Sequence, residues 1–249
     1  MVTLSTFLNN IKTLINQYVY TKEETRENFD EYVKNNIRYE NGSLHIPSVV
    51  YKNDGQTDMS SDYTSTSNKA NLTYDAINKC YILRNTSGSS GFGTLRFNNL
   101  TIDNNSVLSA DVMIPNQSAN TQIRLSIFNN NSNRGVGVNF ARGSASTSEF
   151  GIRENLQYNA EGYTSGFVSN TSNISYATWY KIELIINENT FYANLYNSDG
   201  SLNRSLKKTI SSIIDNEDNS VGIHFCYTNN AYCYFKNVRV STNNGSYTN

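Results

Sequence analysis

The stretch that decides the fold, 179–240, begins WYKIELIINENTFYANLYNSDGS and ends VGIHFCYTNNAYCYFKNVRV, and it contains the only tryptophan, Trp179. Apolar side chains occupy every second position over 180–186, with Lys181 and Glu183 between them. This period of two is typical of a strand that has one face on a core and the other in water. The stretch therefore predicts β-structure from its first residues.

Polar turns divide this stretch into further strands. A short turn at 187–189 is expected to join the first strand to a second one over 191–196, as a β-hairpin. The tetrapeptide NSDG at 197–200 predicts another turn, because Asn and Gly tolerate positive φ and an Asp side chain accepts a hydrogen bond from the backbone two residues on. A third strand is expected over 204–210.

Two more strand patterns close the stretch, and Asn229-Asn230 is predicted to turn the chain from the first, over 221–227, into the second. In the last strand Phe235 and Val238 cannot face the same side at a period of two. We therefore expect a β-bulge near Asn237, where one extra residue re-aims the side chains.

The chain has three cysteines, Cys80, Cys226 and Cys233. A hairpin at 229–230 would place Cys226 opposite Cys233 at a hydrogen-bonded pair, where Cα atoms lie about 5.5 Å apart, within disulfide range. Because such pairs are the less usual disulfide site, we prefer three reduced and mostly buried thiols.

Strand patterns also precede this stretch, separated by turn signals about every ten residues. The predicted strands cover 70–74, 79–85, 93–97, 106–114, 122–129, 135–141 and 149–153. Two packed sheets are needed to bury so many half-apolar strands. The sequence is therefore predicted to form a mainly β protein with an antiparallel β-sandwich over 51–249.

The closing residues resemble the C-terminal half of concanavalin A-like (lectin/glucanase, laminin G-like) jelly rolls. The resemblance lies in the Trp-Tyr-Lys entry, the hairpin ending in NSDG, the Val-Gly-Ile strand and the final Tyr-Phe-Lys-Asn-Val-Arg-Val. It extends over about 51–241 if the upstream strands belong to the same sandwich. Such domains serve as lectins, carbohydrate-binding modules, glycosidases and adhesive tips, so the fold does not decide the function.

Residues 1–50 are predicted to form a separate α-helical segment with a small hairpin at Asn41-Gly42. Its apolar residues follow the three-four spacing of a coiled coil, namely Leu4, Phe7, Ile11, Leu14 and Tyr18. Two heptads are marginal as an isolated helix. We therefore expect this seam to be buried, either against its own domain or, as the sharper hypothesis, in a parallel homotrimer.

A second short helix is predicted to begin at Thr21, because Thr21 and Glu24 form a capping box. The surrounding VYTKEET, 19–25, resembles helix starts in phage tail fibres and receptor-binding proteins. The resemblance implies a virion tail protein that contacts other virion tail proteins.

Composition excludes several classes of partner. A net charge of −1 and the absence of a basic run argue against nucleic-acid binding. No apolar run approaches the ~20 residues that span a bilayer, so no membrane insertion is expected. The amino terminus lacks the pattern of a signal peptide, which favours assembly in a host cytoplasm over the alternative, an extracellular or cell-surface location.

Catalytic and metal-binding patterns are weak. Jelly-roll glycosidases carry carboxylates that alternate along one face of a strand, whereas Glu149 and Glu154, five residues apart, fall on opposite faces. Asn53, Asp54 and Asp58 could line a calcium site, but their spacing does not fit an EF-hand loop, so a solvated loop is preferred. Neither enzymatic activity nor a cofactor is expected.

The candidate ligand-binding residues are Tyr192, Asn194, Tyr196, His224, Tyr232 and Tyr234. The first three are expected to point away from the core, with His224 displayed beside them on a neighbouring strand. Sugars stack their C–H faces on aromatic rings and pair their hydroxyls with polar groups, and a face with few charges suits a neutral sugar. Alternatively these tyrosines fill the core or an interface, and the loops around Tyr158 and Tyr163 are then the next candidates.

The sequence thus predicts a homotrimeric, non-enzymatic virion tail fibre or receptor-binding protein that recognises cell-surface carbohydrate. The alternatives are a cell-surface adhesin or a carbohydrate-binding module and, less favoured, a glycan hydrolase or lyase.

Overall fold

The computed structural model describes residues 38–40, 43–45, 48–65, 70–86, 91–117, 121–142, 148–157, 168–170, 174–210, 214–216, 218–227, 230–242 and 246–247. The helices predicted within 1–37, which carry the heptad seam, lie outside these residues, as do Tyr158 and Tyr163. None of the described residues forms a helix long and apolar enough to cross a membrane.

The strands, in chain order, are β1 (Arg38–Glu40), β2 (Ser43–His45), β3 (Ser48–Asn53), β4 (Tyr63–Ser65), β5 (Ala70–Asp75), β6 (Cys80–Asn85), β7 (Gly91–Ile102), β8 (Ser106–Met113), β9 (Thr121–Asn129), β10 (Arg134–Arg142), β11 (Ser148–Gln157), β12 (Val168–Asn170), β13 (Tyr180–Asn187), β14 (Thr190–Tyr196), β15 (Leu202–Thr209), β16 (Asn219–Tyr227), β17 (Tyr232–Thr242) and β18 (Ser246–Tyr247). A 3₁₀ turn, Ser60–Asp62, precedes β4.

The chain divides into two compact units, 1–47 and 48–249. In the first unit, β1 and β2 form an antiparallel pair with Glu40 opposite Ser43, which confirms the hairpin predicted around Asn41-Gly42. The second unit contains two eight-stranded sheets. Sheet I has the order β12-β11-β10-β9-β16-β7-β18, with β4 also on β7, and sheet II has the order β15-β14-β13-β8-β17-β6-β5, with β3 also on β17.

The two sheets share one hydrophobic core built from their inward-facing residues. Sheet II contributes Leu108, Leu184 and Ala193, and sheet I contributes Leu125 and Ile223, among others that are at most 7% exposed. Burying each large apolar side chain contributes roughly 1.5–3 kcal/mol relative to leaving it in water. The prediction of a mainly β, antiparallel, two-sheet sandwich is therefore confirmed.

Local turn chemistry follows the sequence closely. β13 and β14 form the predicted hairpin, with Asn187 opposite Thr190. At the NSDG turn Gly200 has φ +82°, and the Ser201 amide donates to Asp199 Oδ1 at 2.9 Å. In β17 the register against β8 shifts between Lys236 and Arg239, which confirms the bulge predicted near Asn237.

The hairpin predicted between 221–227 and the last strand is wrong. β16 lies in sheet I between β9 and β7, whereas β17 lies in sheet II between β8 and the strands β6 and β3. Both edges of β16 are therefore occupied, and the chain crosses from one sheet to the other. The expected opposition of Cys226 and Cys233 fails for the same reason, and Cys80 and Cys233 are free, buried thiols.

Candidate functional site

The outward residues of sheet II form an open surface rich in tyrosine, here named the tyrosine face. It carries Arg84, Asp111, Lys181, Glu183, Tyr192, Asn194, Tyr196, Lys207, Tyr232, Tyr234 and Lys236, on strands β6, β8, β13, β14, β15 and β17. On β14, Phe191, Ala193 and Leu195 are buried, so the residues between them point outward as predicted and are partly exposed.

Glu183 organises one half of the tyrosine face. It lies opposite Asn194 in the β13–β14 hairpin, and its Oε1 accepts hydrogen bonds from Asn194 Nδ2 at 2.9 Å and from the Tyr196 hydroxyl at 3.1 Å. The Lys181 ammonium lies 4.0 Å from the second carboxylate oxygen, Oε2. One carboxylate thus fixes the orientation of an amide and a phenol that could each contact a ligand.

Four aromatic rings, three on the tyrosine face and that of Trp179 beside it, form cation–π contacts. The distances from the cation to the ring centroid are 5.4 Å for Lys207 at Tyr192, 5.5 Å for Lys181 at Tyr196, 4.8 Å for Arg84 at Tyr232 and 4.3 Å for Lys236 at Trp179. Each such contact contributes about 0.5–1 kcal/mol at an exposed site. The expectation of a face with few charges is therefore wrong.

Tyr232 and Tyr234 belong to the tyrosine face, but they lie on β17, away from Tyr192 on β14. β14 and β17 are separated by three strand steps in sheet II, or about 14 Å at the usual spacing. The rings of Tyr232 and Tyr234 contact each other edge to face, with their centroids 5.7 Å apart. Burial raises the pKa of the Tyr234 phenol, so it is a protonated donor at neutral pH.

Asp111 lies on the tyrosine face between two lysines, because Lys181 and Lys236 are its partners on the neighbouring strands. Asn237 Nδ2, in the bulge of β17, donates to Asp111 Oδ2 at 2.6 Å. Burial raises the pKa of the Asp111 carboxyl, and Asn237 and the two lysines oppose that shift. Its charged form is therefore less favoured than that of an aspartate in water.

His224 is not displayed beside Tyr192, and that prediction is wrong. Since β16 belongs to sheet I, His224 lies on the outer face of that sheet, opposite Thr94 and Arg124 on the adjacent strands. It is 1% exposed. Burial, and then the Arg124 charge, lower the pKa of His224 well below its ordinary value, so the imidazole is neutral.

The outer face of sheet I carries a buried polar network that the sequence did not reveal. Arg124 donates to Asn139 Oδ1 at 2.7 Å and to Gln122 Oε1 at 2.5 Å. Asn139 Nδ2 in turn donates to Glu149 Oε1 at 2.6 Å, and Arg153 pairs with the same oxygen at 3.0 Å. These contacts satisfy groups that would be costly to bury alone.

Glu149 and Glu154 lie on opposite faces of β11, as predicted. Glu149 belongs to the outer network, whereas Glu154 forms an ion pair of 3.3 Å with Lys208 of β15, in the other sheet. Two carboxylates that flank one glycosidic bond must face each other across the sugar. This pair cannot serve as acid and nucleophile of one site.

The oxygens considered for calcium bind backbone amides instead. Asn53 is fully buried, and its Oδ1 accepts from the Gly55 amide at 3.0 Å. Asp54 and Asp58 likewise accept from the amides two residues on, at 3.1 and 2.9 Å. Within the described ranges, no group of three or more His, Cys, Asp or Glu is placed to hold a metal ion.

No protein-family model matches the sequence, and no curated protein matches it either. Solved structures match the fold at low identity. They include the CBM2 module of the evolved Dit of Lactobacillus casei BL23 phage J-1, at TM-score 0.57 and 11% identity, covering 78% of this chain and 95% of that one. Lectin I of Ulex europaeus, in complex with the methyl glycoside of α-L-fucose, gives 0.55 and 14%, covering 82% and 99%.

A candidate β-glucanase of Mycobacterium abscessus gives a TM-score of 0.51 at 13% identity, covering 78% of this chain and all of that one. The chain therefore has a lectin-like sandwich fold. Because the same fold occurs in a lectin, a phage protein and a candidate enzyme, activity has to be argued from the side chains of this chain.

Proposed function

We propose that the protein binds cell-surface glycan through the tyrosine face, without cleaving it, as a tail-fibre or receptor-binding protein of a virion. The observation that carries this proposal is the group of oriented, partly exposed side chains on β13 and β14. Tyr192 and Tyr196 present rings, and Glu183 holds Asn194 and the Tyr196 hydroxyl in place. A sugar-binding surface needs aromatic rings that stack on the C–H faces of the sugar and polar groups that form hydrogen bonds with its hydroxyls.

Two of the structural neighbours support this proposal. The Ulex lectin holds a fucose glycoside, and the CBM2 module belongs to a phage protein, so the fold is compatible with sugar recognition and with a phage particle. The separation of Glu149 and Glu154 supports binding without hydrolysis. Incubation with host polysaccharides should release no new reducing ends, and turnover that is abolished by substitution of a single Glu or Asp would contradict the proposal.

Binding is tested by alanine variants at the two tyrosines of β14. Tyr192→Ala and Tyr196→Ala should each weaken cell binding about tenfold, equivalent to roughly 1–2 kcal/mol, with little change in melting temperature. Tyr74→Ala is the matched control, because Tyr74 packs against the core and donates to the Gly55 carbonyl at 2.8 Å. It should lower the melting temperature and leave binding of the folded protein intact.

The result that contradicts the proposal is unchanged cell binding together with a large loss of melting temperature in both tyrosine variants. Tyr192 and Tyr196 would then be structural, and the loops around Tyr158 and Tyr163 would become the candidates.

The trimer is proposed on the heptad seam alone. Light scattering of the full chain should give about three times the chain mass of 28.0 kDa. Ile11→Asp should dissociate the trimer, whereas Ile77→Asp, at a position 90% exposed, should not. A monomeric wild-type protein would refute the trimer while leaving the glycan site untouched.

A further inference from the structure

The tyrosine face has a charge opposite to that of the whole chain. Among the residues that define it, four are basic and two are acidic, namely Arg84, Lys181, Lys207 and Lys236 against Asp111 and Glu183. The full chain has a net charge of −1. Positive charge is therefore concentrated on the same surface that carries the tyrosines.

The two acids of this face offset the four basic residues only in part. Glu183 forms an ion pair with Lys181, with 4.0 Å between the ammonium and Oε2, and Asp111 lies between Lys181 and Lys236. The residues that define the face therefore keep a net charge of +2.

The cations are placed to bind a ligand that lies on the rings. Arg84 and Lys207 are exposed, and each stands 4.8–5.4 Å from the centroid of a tyrosine ring. A ring contact leaves the N–H groups of a lysine or arginine able to donate to oxygen. A sugar stacked on such a ring would carry its substituents to the neighbouring cation.

The spacing of the rings indicates the length of the ligand. Tyr192 and Tyr196 are four residues apart on β14, or about 13 Å. Tyr232 lies three strands across from Tyr196 and four residues along the sheet from Lys236, the residue in register with Tyr196, so the two tyrosines are about 19 Å apart. Both distances exceed one sugar ring. A chain of several sugars can therefore contact two rings at once, whereas a single terminal sugar cannot.

We propose that the tyrosine face binds an anionic polysaccharide, with sugar rings stacked on Tyr192, Tyr196 and Tyr232 and with carboxylate or phosphate groups bound by Arg84, Lys181 and Lys207. This inference rests on the proposed glycan function and specifies the chemical class of the glycan. It replaces the neutral sugar expected from the sequence.

The test measures binding of the full-length protein to four probes at two salt concentrations. Polygalacturonate supplies carboxylates on a chain of sugar rings, and its fully methyl-esterified form supplies the same backbone without charge. Phosphorylated dextran supplies phosphates on a chain of sugar rings, and oligo(dT) is an anionic polymer of another class. We expect binding to polygalacturonate, to phosphorylated dextran or to both, which identifies the anionic group. That binding should weaken with salt and exceed binding to the methyl ester and to oligo(dT).

Charge-removing variants locate the site. Arg84→Gln and Lys207→Gln should each weaken binding of the anionic probe about tenfold, the loss expected for a hydrogen bond to a charged group. Arg134→Gln is the matched control, because Arg134 is exposed at the start of β10 in sheet I. It should bind like the wild type, and all three should retain the wild-type melting temperature.

Three outcomes overturn the inference. Equal binding of polygalacturonate and its methyl ester would show that charge is not recognised, and the proposed glycan function would stand. Equal binding of oligo(dT) would show a general polyanion or nucleic-acid surface. Failure of all four probes, while cells are still bound in a manner sensitive to Tyr192→Ala, would reject the anionic class and keep the site.

Discussion

The buried imidazole of His224 makes folding stability depend on pH in a predictable direction. The folded protein holds this side chain neutral, because it is 1% exposed and lies beside Arg124. The unfolded chain protonates it near the ordinary value of 6.5. Below that pH the unfolded state binds more protons, so the stability contributed by neutral His224 is present above pH 6.5 and is lost as the pH falls.

The magnitude follows from this difference in proton binding. Each pH unit below 6.5 costs about 1.4 kcal/mol while the folded imidazole stays neutral. Between pH 7.0 and pH 5.5 the free energy of unfolding should therefore decrease by about 1.3 kcal/mol through His224 alone. Carboxylates with ordinary pKa values titrate mainly below this window.

Urea unfolding at the two pH values measures the effect. His224→Gln removes the titrating group, so this variant should lose about 1.3 kcal/mol less than the wild type between pH 7.0 and 5.5, whatever its absolute stability. His45→Gln, at the only other histidine, is the control and should behave like the wild type. An equal pH-dependent loss in wild type and His224→Gln would refute the assignment of a buried, neutral imidazole.

Three further substitutions test the free energy of unfolding, one at a partly buried carboxylate and two at glycines. Asp111→Asn should raise the free energy of unfolding at neutral pH, because burial raises the folded pKa of Asp111 and so disfavours its charge. The gain should shrink as the pH falls and disappear below 3.8, where the unfolded carboxyl is protonated as well. Gly135→Ala should cost about 3 kcal/mol or more in urea unfolding, since its Cβ would lie 2.3 Å from the Ile127 carbonyl oxygen. Gly200→Ala, with no atom within 4 Å and φ +82°, should cost only about 1–2 kcal/mol of backbone strain.

The strands and turns were predictable because their causes are local. Alternation over 180–196 gives the β13–β14 hairpin, and the mismatch between Phe235 and Val238 gives the bulge at Asn237, whose φ is +51°. Sheet membership was not predictable in the same way. A short polar segment such as 228–231 permits either a hairpin or a crossing between sheets, and the choice depends on strands far along the chain, here β9 and β7, that occupy both edges of β16.

The outward direction of Tyr192 and Tyr196 was also predictable from alternation, but their surroundings were not. Lys207 reaches Tyr192 from β15, and Arg84 reaches Tyr232 from β6, which is far from β17 in sequence. These cations come from strands that pair only in the folded sheet. The charge of the tyrosine face, on which the proposed class of glycan rests, is a property of tertiary structure.

The outward side chains of the two sheets differ in how exposed they are. Strand periodicity cannot predict this difference, because the strands of both sheets alternate between core and outward residues in the same way. On sheet I the outward Arg124, Asn139 and His224 are at most 1% exposed, and Arg124 and Asn139 are bound into the network that includes Glu149. A ligand would first have to uncover these groups and break charge-assisted hydrogen bonds, each worth about 1.5–3 kcal/mol. On sheet II, Lys207 is exposed and the tyrosines are partly exposed in the protein as folded. Binding there requires no such rearrangement, so the tyrosine face is the surface on which recognition costs the protein least.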